Sequence, residues 1–196
     1  SFANRNSGVG LQGGWGSILM GRWDTPMKVS QTAVDPWGDL TLGDITGAAL
    51  DQGNFSRRET NSIQYWTPNW GGFSARLLIT ANEGKTSASN PNTSGASLAY
   101  SKGPFYIAYA YENHKDVAAN TDEEGNTIAA SWTMGGLKLA GQYGQFERDG
   151  QADDDKSYMV GLTWTFSGKH NLLASYQNAE QGASDCDMYS VGYRYD

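Results

Sequence analysis

Few residues in this chain of 196 stand where they could make or break a bond. GVGLQG at 8–13 has the glycine spacing of a dinucleotide loop. It lacks the buried strand before it and the helix after it that such a site requires. NEGKTS at 82–87 contains the GKT of a phosphate loop, but Ile79 stands where the leading glycine must be. ADDDKS at 152–157 gathers carboxylates without the spacing or glycine of a calcium loop, and reads as solvated. The histidines, His114 and His170, fall in polar contexts, one in a loop and one in a turn, at opposite ends of the expected topology. GxSxG and HExxH are both absent, so nucleophilic and zinc catalysis lack support. Cys186 is the single cysteine, so no internal disulfide forms. Its neighbours Asp185 and Asp187 give none of the basic surroundings that activate a thiol, and it reads as an incidental loop residue. A net charge of −7 argues against nucleic acid. The expectation is a protein with no catalytic residue, no metal and no cofactor, whose charged side chains steer rather than react. Arg58 and Arg76 introduce that theme, because both fall in stretches of strict alternation.

The elements that position them are strands. Phe73, Ala75, Leu77 and Ile79 alternate with Ser74, Arg76, Leu78 and Thr80. Period two is the signature of a strand with two unlike faces. The unit recurs: Phe105, Ile107, Tyr109 and Tyr111 against alanines, Ile128 to Met134 against threonines and serine, and Tyr158 to Phe166 against Met159, Gly161, Thr163 and Thr165. About eleven strands follow, with no convincing helix pattern. Short turns (GGWGS, PNWGG, SKGP, MGGL, FSGKH) alternate with longer polar loops at 82–94, 113–126, 147–156 and 178–187. Aromatics gather at strand ends, at Tyr65, Tyr100, Tyr111, Trp164, Phe166, Tyr193 and Tyr195. The second face is too small and polar for another core. The hydrophobic fraction is 38% and the mean hydropathy −0.57, and no run approaches the roughly 18 apolar residues of a membrane helix, but barrel strands dilute hydropathy by alternating. The reading is an all-β transmembrane antiparallel up-and-down barrel, apolar face toward lipid and polar face toward a water-filled lumen. A soluble β-sandwich carbohydrate-binding module is the alternative from another class; it should bury its large aromatics mid-strand.

RNSGVGLQGGWGSILMGRWDTP and, after a long loop, RRETNSIQYWTPNWGGFSARL carry a resemblance. The chain resembles the trimeric general-diffusion porins of Gram-negative bacteria, in the beta-proteobacterial type. The later hairpins match by pattern alone. The resemblance implies a sixteen-stranded barrel of which this chain holds about eleven strands, lacking the first three and the last two. Residues 1–196 then form one partial barrel domain. The chain starts without a basic n-region or apolar h-region, as expected of a cleaved or partial sequence.

The resemblance also implies roles. Residues 25–56, where alternation breaks down, take the place of the third extracellular loop, which folds into the lumen as the constriction. Arg5 and Arg58 match wall arginines, and Arg76 shares their lumen-facing parity. Loop carboxylates Asp35, Asp39, Asp44 and Asp51 would face that basic wall and set up a transverse field. Arg22 matches a position near the subunit interface. The implied function is passive diffusion of ions and small hydrophilic solutes across the outer membrane, by a homotrimer embedded in lipid and lipopolysaccharide. A substrate-selective porin is the nearer alternative. It needs an aromatic slide in the lumen, for which Trp66 is the one inward strand aromatic expected.

Overall fold

The computed structural model describes residues 5–38, 43–44, 55–80, 85–118, 121–182 and 184–196. Eleven strands form one sheet in chain order, each antiparallel to the next. They are β1 (Ser7–Gly13), β2 (Gly16–Asp24), β3 (Arg58–Trp66), β4 (Phe73–Thr80), β5 (Asn92–Lys102), β6 (Phe105–Ala118), β7 (Thr121–Met134), β8 (Leu137–Arg148), β9 (Asp155–Phe166), β10 (His170–Gln181) and β11 (Ser184–Tyr195). One helix, α1 (Pro26–Thr32), lies between β2 and β3.

The turns at one end are tight. Gly13 pairs with Gly16, Lys102 with Phe105 and Met134 with Leu137, leaving two-residue connections. At the last of these Gly135 takes a φ of 58°, which glycine adopts without steric cost. The other end differs from the expected pattern. Segments 113–126 and 178–187, read as loops, are largely ladder: β6 and β7 run 14 residues each, and β10 passes to β11 across residues 182–183. Cys186 therefore lies on a strand, exposed. The physical reason is that beyond the apolar band both faces of a strand are polar. Hydropathy alternation vanishes while backbone pairing continues. Crossing a bilayer takes only about 9–11 residues, so the extra length stands clear of it. Segments 81–91 and 149–154 remain connections.

Alternation places the side chains as expected. Leu77, Ile79, Leu98, Ile107, Ile128, Val160 and Val191 are exposed on one face, while Leu78, Ala108, Ala110, Thr127, Ala129, Gln142 and Met159 are buried on the other. An exposed apolar face this continuous is foreign to a soluble monomer and expected against lipid. Aromatics ring it twice. Trp15 stacks near Tyr65, Phe73 near Tyr100, Phe105 near Trp132 and Trp164 near Phe166 at the tight-turn end. Toward the other end Tyr158, Tyr176 and Tyr189 meet in sequence. On β9 the two rings, at Tyr158 and at Trp164 with Phe166, stand about 20–27 Å apart along the strand. That spacing approximates the ~25 Å apolar band of a membrane barrel.

Helix α1 is a correction to the sequence reading. Thr25 is its N-cap, accepting a hydrogen bond from Lys28 N at 3.2 Å, and Pro26 occupies its first turn. A threonine cap before a proline at the first helical position is a legible start signal. It was hidden because seven residues are too few to show a period of 3.6. Replacing Leu98 by arginine on the outward face should destabilise the barrel by about 2–4 kcal/mol in lipid vesicles, measured by denaturant unfolding. An effect below about 0.5 kcal/mol would mean that this face does not meet hydrocarbon.

Candidate functional site

The inner face is covered by the segment that joins β2 to β3. Its two feet are tied together, Thr25 N donating to Arg57 O at 3.1 Å. Between them the chain crosses the wall. Helix α1 packs over β4 to β7. Val34 joins Ala129, Ala140, Met159 and Ala179, and Met27 joins Phe55, Ala110 and Phe146, in two apolar clusters. These clusters are the core of the described structure, formed by loop against wall rather than wall against wall.

Small wall residues make the seat. A Cβ on Gly161 would lie 2.5 Å from Pro36 Cγ, and one on Gly192 would lie 2.7 Å from the Trp37 ring. A Cβ on Gly125 would meet Phe55 at 2.8 Å. By pattern alone, inward glycine and alanine suggest an open lumen; in the structure many of them are there because the loop lies on them. Polar fastenings complete the fit. Trp37 Nε1 donates to Ser175 Oγ at 2.8 Å, Gln177 Nε2 to Gly43 O at 2.6 Å, and Lys138 Nζ to Ala33 O at 2.8 Å. At the root, Phe55 packs edge-on against His114 at 4.8 Å, whose Nε2 lies 2.8 Å from the buried Glu112. His114 therefore sits on a strand beneath the loop and not in a loop.

What the loop leaves open is a cleft of about 530 Å³ between wall and helix. Arg5, Asn6, Asp24 and Arg58 line it from the wall, and Lys28 lines it from α1. Arg58 Nε stands 3.1 Å from Asp24 Oδ1, and Asn6 bridges, donating to Asp24 Oδ2 at 2.6 Å and accepting from Arg58 Nε at 3.0 Å. Among the described residues the cleft thus holds three cationic side chains and one carboxylate. Arg5 and Arg58 are brought together as expected. Asp24 and Lys28 were missed. Asp24 belongs to the DTP of the motif, but a strand carboxylate gives no sign of turning inward until the register shift between Gly21 and Trp23 re-aims it.

The other expected residues are placed as follows. Arg76 lines a separate cleft on the far side of α1, its guanidinium 4.5 Å above the Trp66 ring. Asp35 is buried, and its Oδ1 accepts from Trp37 N at 2.9 Å. Asp44 is buried. Asp39 and Asp51 lie outside the described residues. Among those described, the helix offers the wall arginines a lysine rather than a carboxylate. Arg22 follows Met20 and Val9 on the outward alternation, and its Nε has no hydrogen-bond partner. Trp66 does turn inward, and Trp23 meets it edge-on at 5.8 Å.

Similarity to known proteins bears on this geometry. The description "Gram-negative porin" matches residues 1–196. Outer membrane porin protein 32 of Delftia acidovorans is 29% identical over 204 residues, covering 97% of this chain and 58% of that protein. The major outer membrane protein P.IB of Neisseria gonorrhoeae is 31% identical over 56% of this chain and 30% of its own length. Among solved structures, an anion-selective porin from Comamonas acidovorans superposes with a TM-score of 0.82 at 28% identity, over 96% of this chain and 61% of that one. OmpF from Salmonella typhi, solved with daunomycin, shares the fold at a TM-score of 0.77 and 16% identity, over 98% of this chain and 66% of its own. The chain spans less than two thirds of the length of the porin from Delftia and of that from Comamonas.

Filling the seat should dislodge the loop without dissolving the sheet. Gly161→Val is expected to cost about 1–3 kcal/mol locally through overpacking against Pro36. It should speed protease cleavage within residues 26–57 while the resistance of the strands to unfolding is kept. Unchanged cleavage would show that Pro36 does not depend on this contact.

Proposed function

The chain belongs to the Gram-negative porin family, and from that premise we propose that the complete protein is a water-filled diffusion channel for ions and small hydrophilic solutes, with a preference for anions. The protein is a channel of the outer membrane rather than an enzyme. The observation that carries the anion preference is the cleft bordered, among the described residues, by Arg5, Lys28 and Arg58 against the single carboxylate of Asp24. Cationic side chains on both banks of a narrow passage lower the energy of a passing anion and raise that of a cation. The net charge of −7 does not oppose this. Charges in solvated segments farther than a Debye length of about 8–10 Å from the constriction are screened from it.

Residues 25–56 act in this reading as the constriction loop and set the size limit, with Arg5, Arg58 and Arg76 as its basic wall. Their counterpart on the helix is Lys28. Asp35 holds the loop's own backbone at Trp37. Asp44, buried, belongs to the loop's docking surface, and Asp39 and Asp51 stay the loop carboxylates assigned to the passage. The assembly is a homotrimer, with Arg22 on the outward alternation directed to the subunit interface. The aromatic rings sit at the two headgroup levels, and the polar strand extensions stand among lipopolysaccharide. The Comamonas porin is itself anion-selective, which accords with this preference.

A planar-bilayer recording under a salt gradient tests the proposal on the natively purified protein. The expected result is large steps closing in threes, with a reversal potential of the sign set by anion flux. Replacing Arg5 and Arg58 by glutamine together should move that potential toward zero and leave the steps in place. A wild-type potential of cation sign would overturn the anion preference, and folded protein without conductance would overturn the channel.

A further inference from the structure

On the other side of α1 lies a smaller cleft of about 150 Å³, which shares Val29 and Ala33 of the loop with the first. Among the described residues Arg76 is its one charged side chain. The guanidinium carbon stands 4.5 Å from the Trp66 ring centroid. A cation–π contact of this kind consumes none of the N–H donors. Among the described residues Arg76 has no hydrogen bond and no salt bridge. Ser97, its register partner on β5, and Ser74, two residues back on the same face, border the same cleft with hydroxyls that make no hydrogen bond. Tyr106 closes the roof, its hydroxyl donating to Ser30 O at 3.4 Å. The platform is itself held, Trp66 Nε1 donating to Gln64 Oε1 at 2.9 Å and Gln64 Nε2 to Asp24 O at 3.0 Å. Among the described residues no carboxylate borders the cleft, and Asp24, the acid whose charge Arg76 feels, is engaged by Arg58 and Asn6.

A half-buried cation with idle donors, two hydroxyls beside it and no carboxylate among the described residues to compete is the complement of an oxyanion. We propose that this cleft is a transient binding site for the oxyanion group, carboxylate or phosphate, of a permeating solute. The group lies edge-on to Arg76 and accepts from Ser74 and Ser97. This deepens the anion-channel reading and rests on it. The first cleft attracts anions by charge, whereas the second selects among them by hydrogen-bond geometry, which chloride cannot satisfy in the same way.

Inorganic phosphate and acetate, added separately to the full channel conducting chloride in a planar bilayer, test this. At least one should reduce the chloride current saturably. In Arg76→Gln the half-blocking concentration should rise about tenfold or more, and in Trp66→Leu by a few fold as the platform is lost. Arg58→Gln should change ion preference and raise that concentration by less than Arg76→Gln does, since it removes charge but no donor of the cleft. Block by phosphate alone marks a tetrahedral site, by acetate alone a planar one, and by both a general oxyanion site. A channel that conducts chloride but is blocked by neither anion, or is blocked equally in Arg76→Gln, overturns the site and leaves the channel standing. Absence of conductance overturns both.

Discussion

In hydrocarbon no water is available to an unpaired amide, and every other feature of this chain answers to that constraint. Each strand from β2 to β10 is hydrogen-bonded to its predecessor and successor in chain order, and β1 and β11 to one neighbour each, so within the sheet backbone satisfaction comes from neighbours in sequence. That arrangement forces the meander. It also forces the two-residue period, because each strand must show lipid one set of side chains and the lumen the other. The outward Leu77, Leu98 and Val160 and the inward Arg76, Ser97 and Gly161 are the two halves of one requirement.

The inner face then has a problem of its own. A sheet with small polar residues inside has no core in the usual sense, and its interior is wet by default. The chain supplies a core locally by returning 25–57 across the wall, where Pro36 and Trp37 settle on Gly161 and Gly192 and Phe55 on Phe146 at 5.0 Å. The packing is dense enough that a single added Cβ meets a neighbour below 3.0 Å at three places, closer than packed atoms approach. Residues 26–38 of the loop are accordingly a fixed part of the wall. Their fixity is what allows Lys28 to stand opposite Arg5 and Arg58 at a defined distance, and what lets α1 divide the passage into two clefts with different chemistry.

Charge is organised by the same device. Asp24 and Arg58 neutralise one another at the root of β3, with Asn6 shared between them. Arg76 is held by an aromatic face instead of a carboxylate. An arginine paired with an acid has part of its field offset and a donor engaged, whereas one held by a ring keeps its donors and has no nearby acid to offset it. The two arginines, alike in sequence context, are therefore different objects in the lumen.

Sequence alone determined the strands, their number, the outward and inward sets and the family. Those follow from i, i+2 alternation and from the motifs around GGWGS and NSIQYW, which are local. Alternation gave Arg76 and Trp66 the inward parity, and the resemblance implied wall positions for Arg5 and Arg58. The sequence reading overlooked the capped helix in DTPMK, and it stopped β6, β7, β10 and β11 where hydropathy ceased to alternate. Only the tertiary structure decided which inward residues meet the passage and which lie under the loop. Asp35 turned to the backbone of Trp37, Glu112 was sealed beside His114, and Gly161 became a seat. The contacts responsible join residues far apart, 138 positions between Trp37 and Ser175 and 134 between Gly43 and Gln177. Alternation tells a residue which face it is on; what lies against that face is set by a distant segment whose fit depends on shape, and no local pattern encodes it.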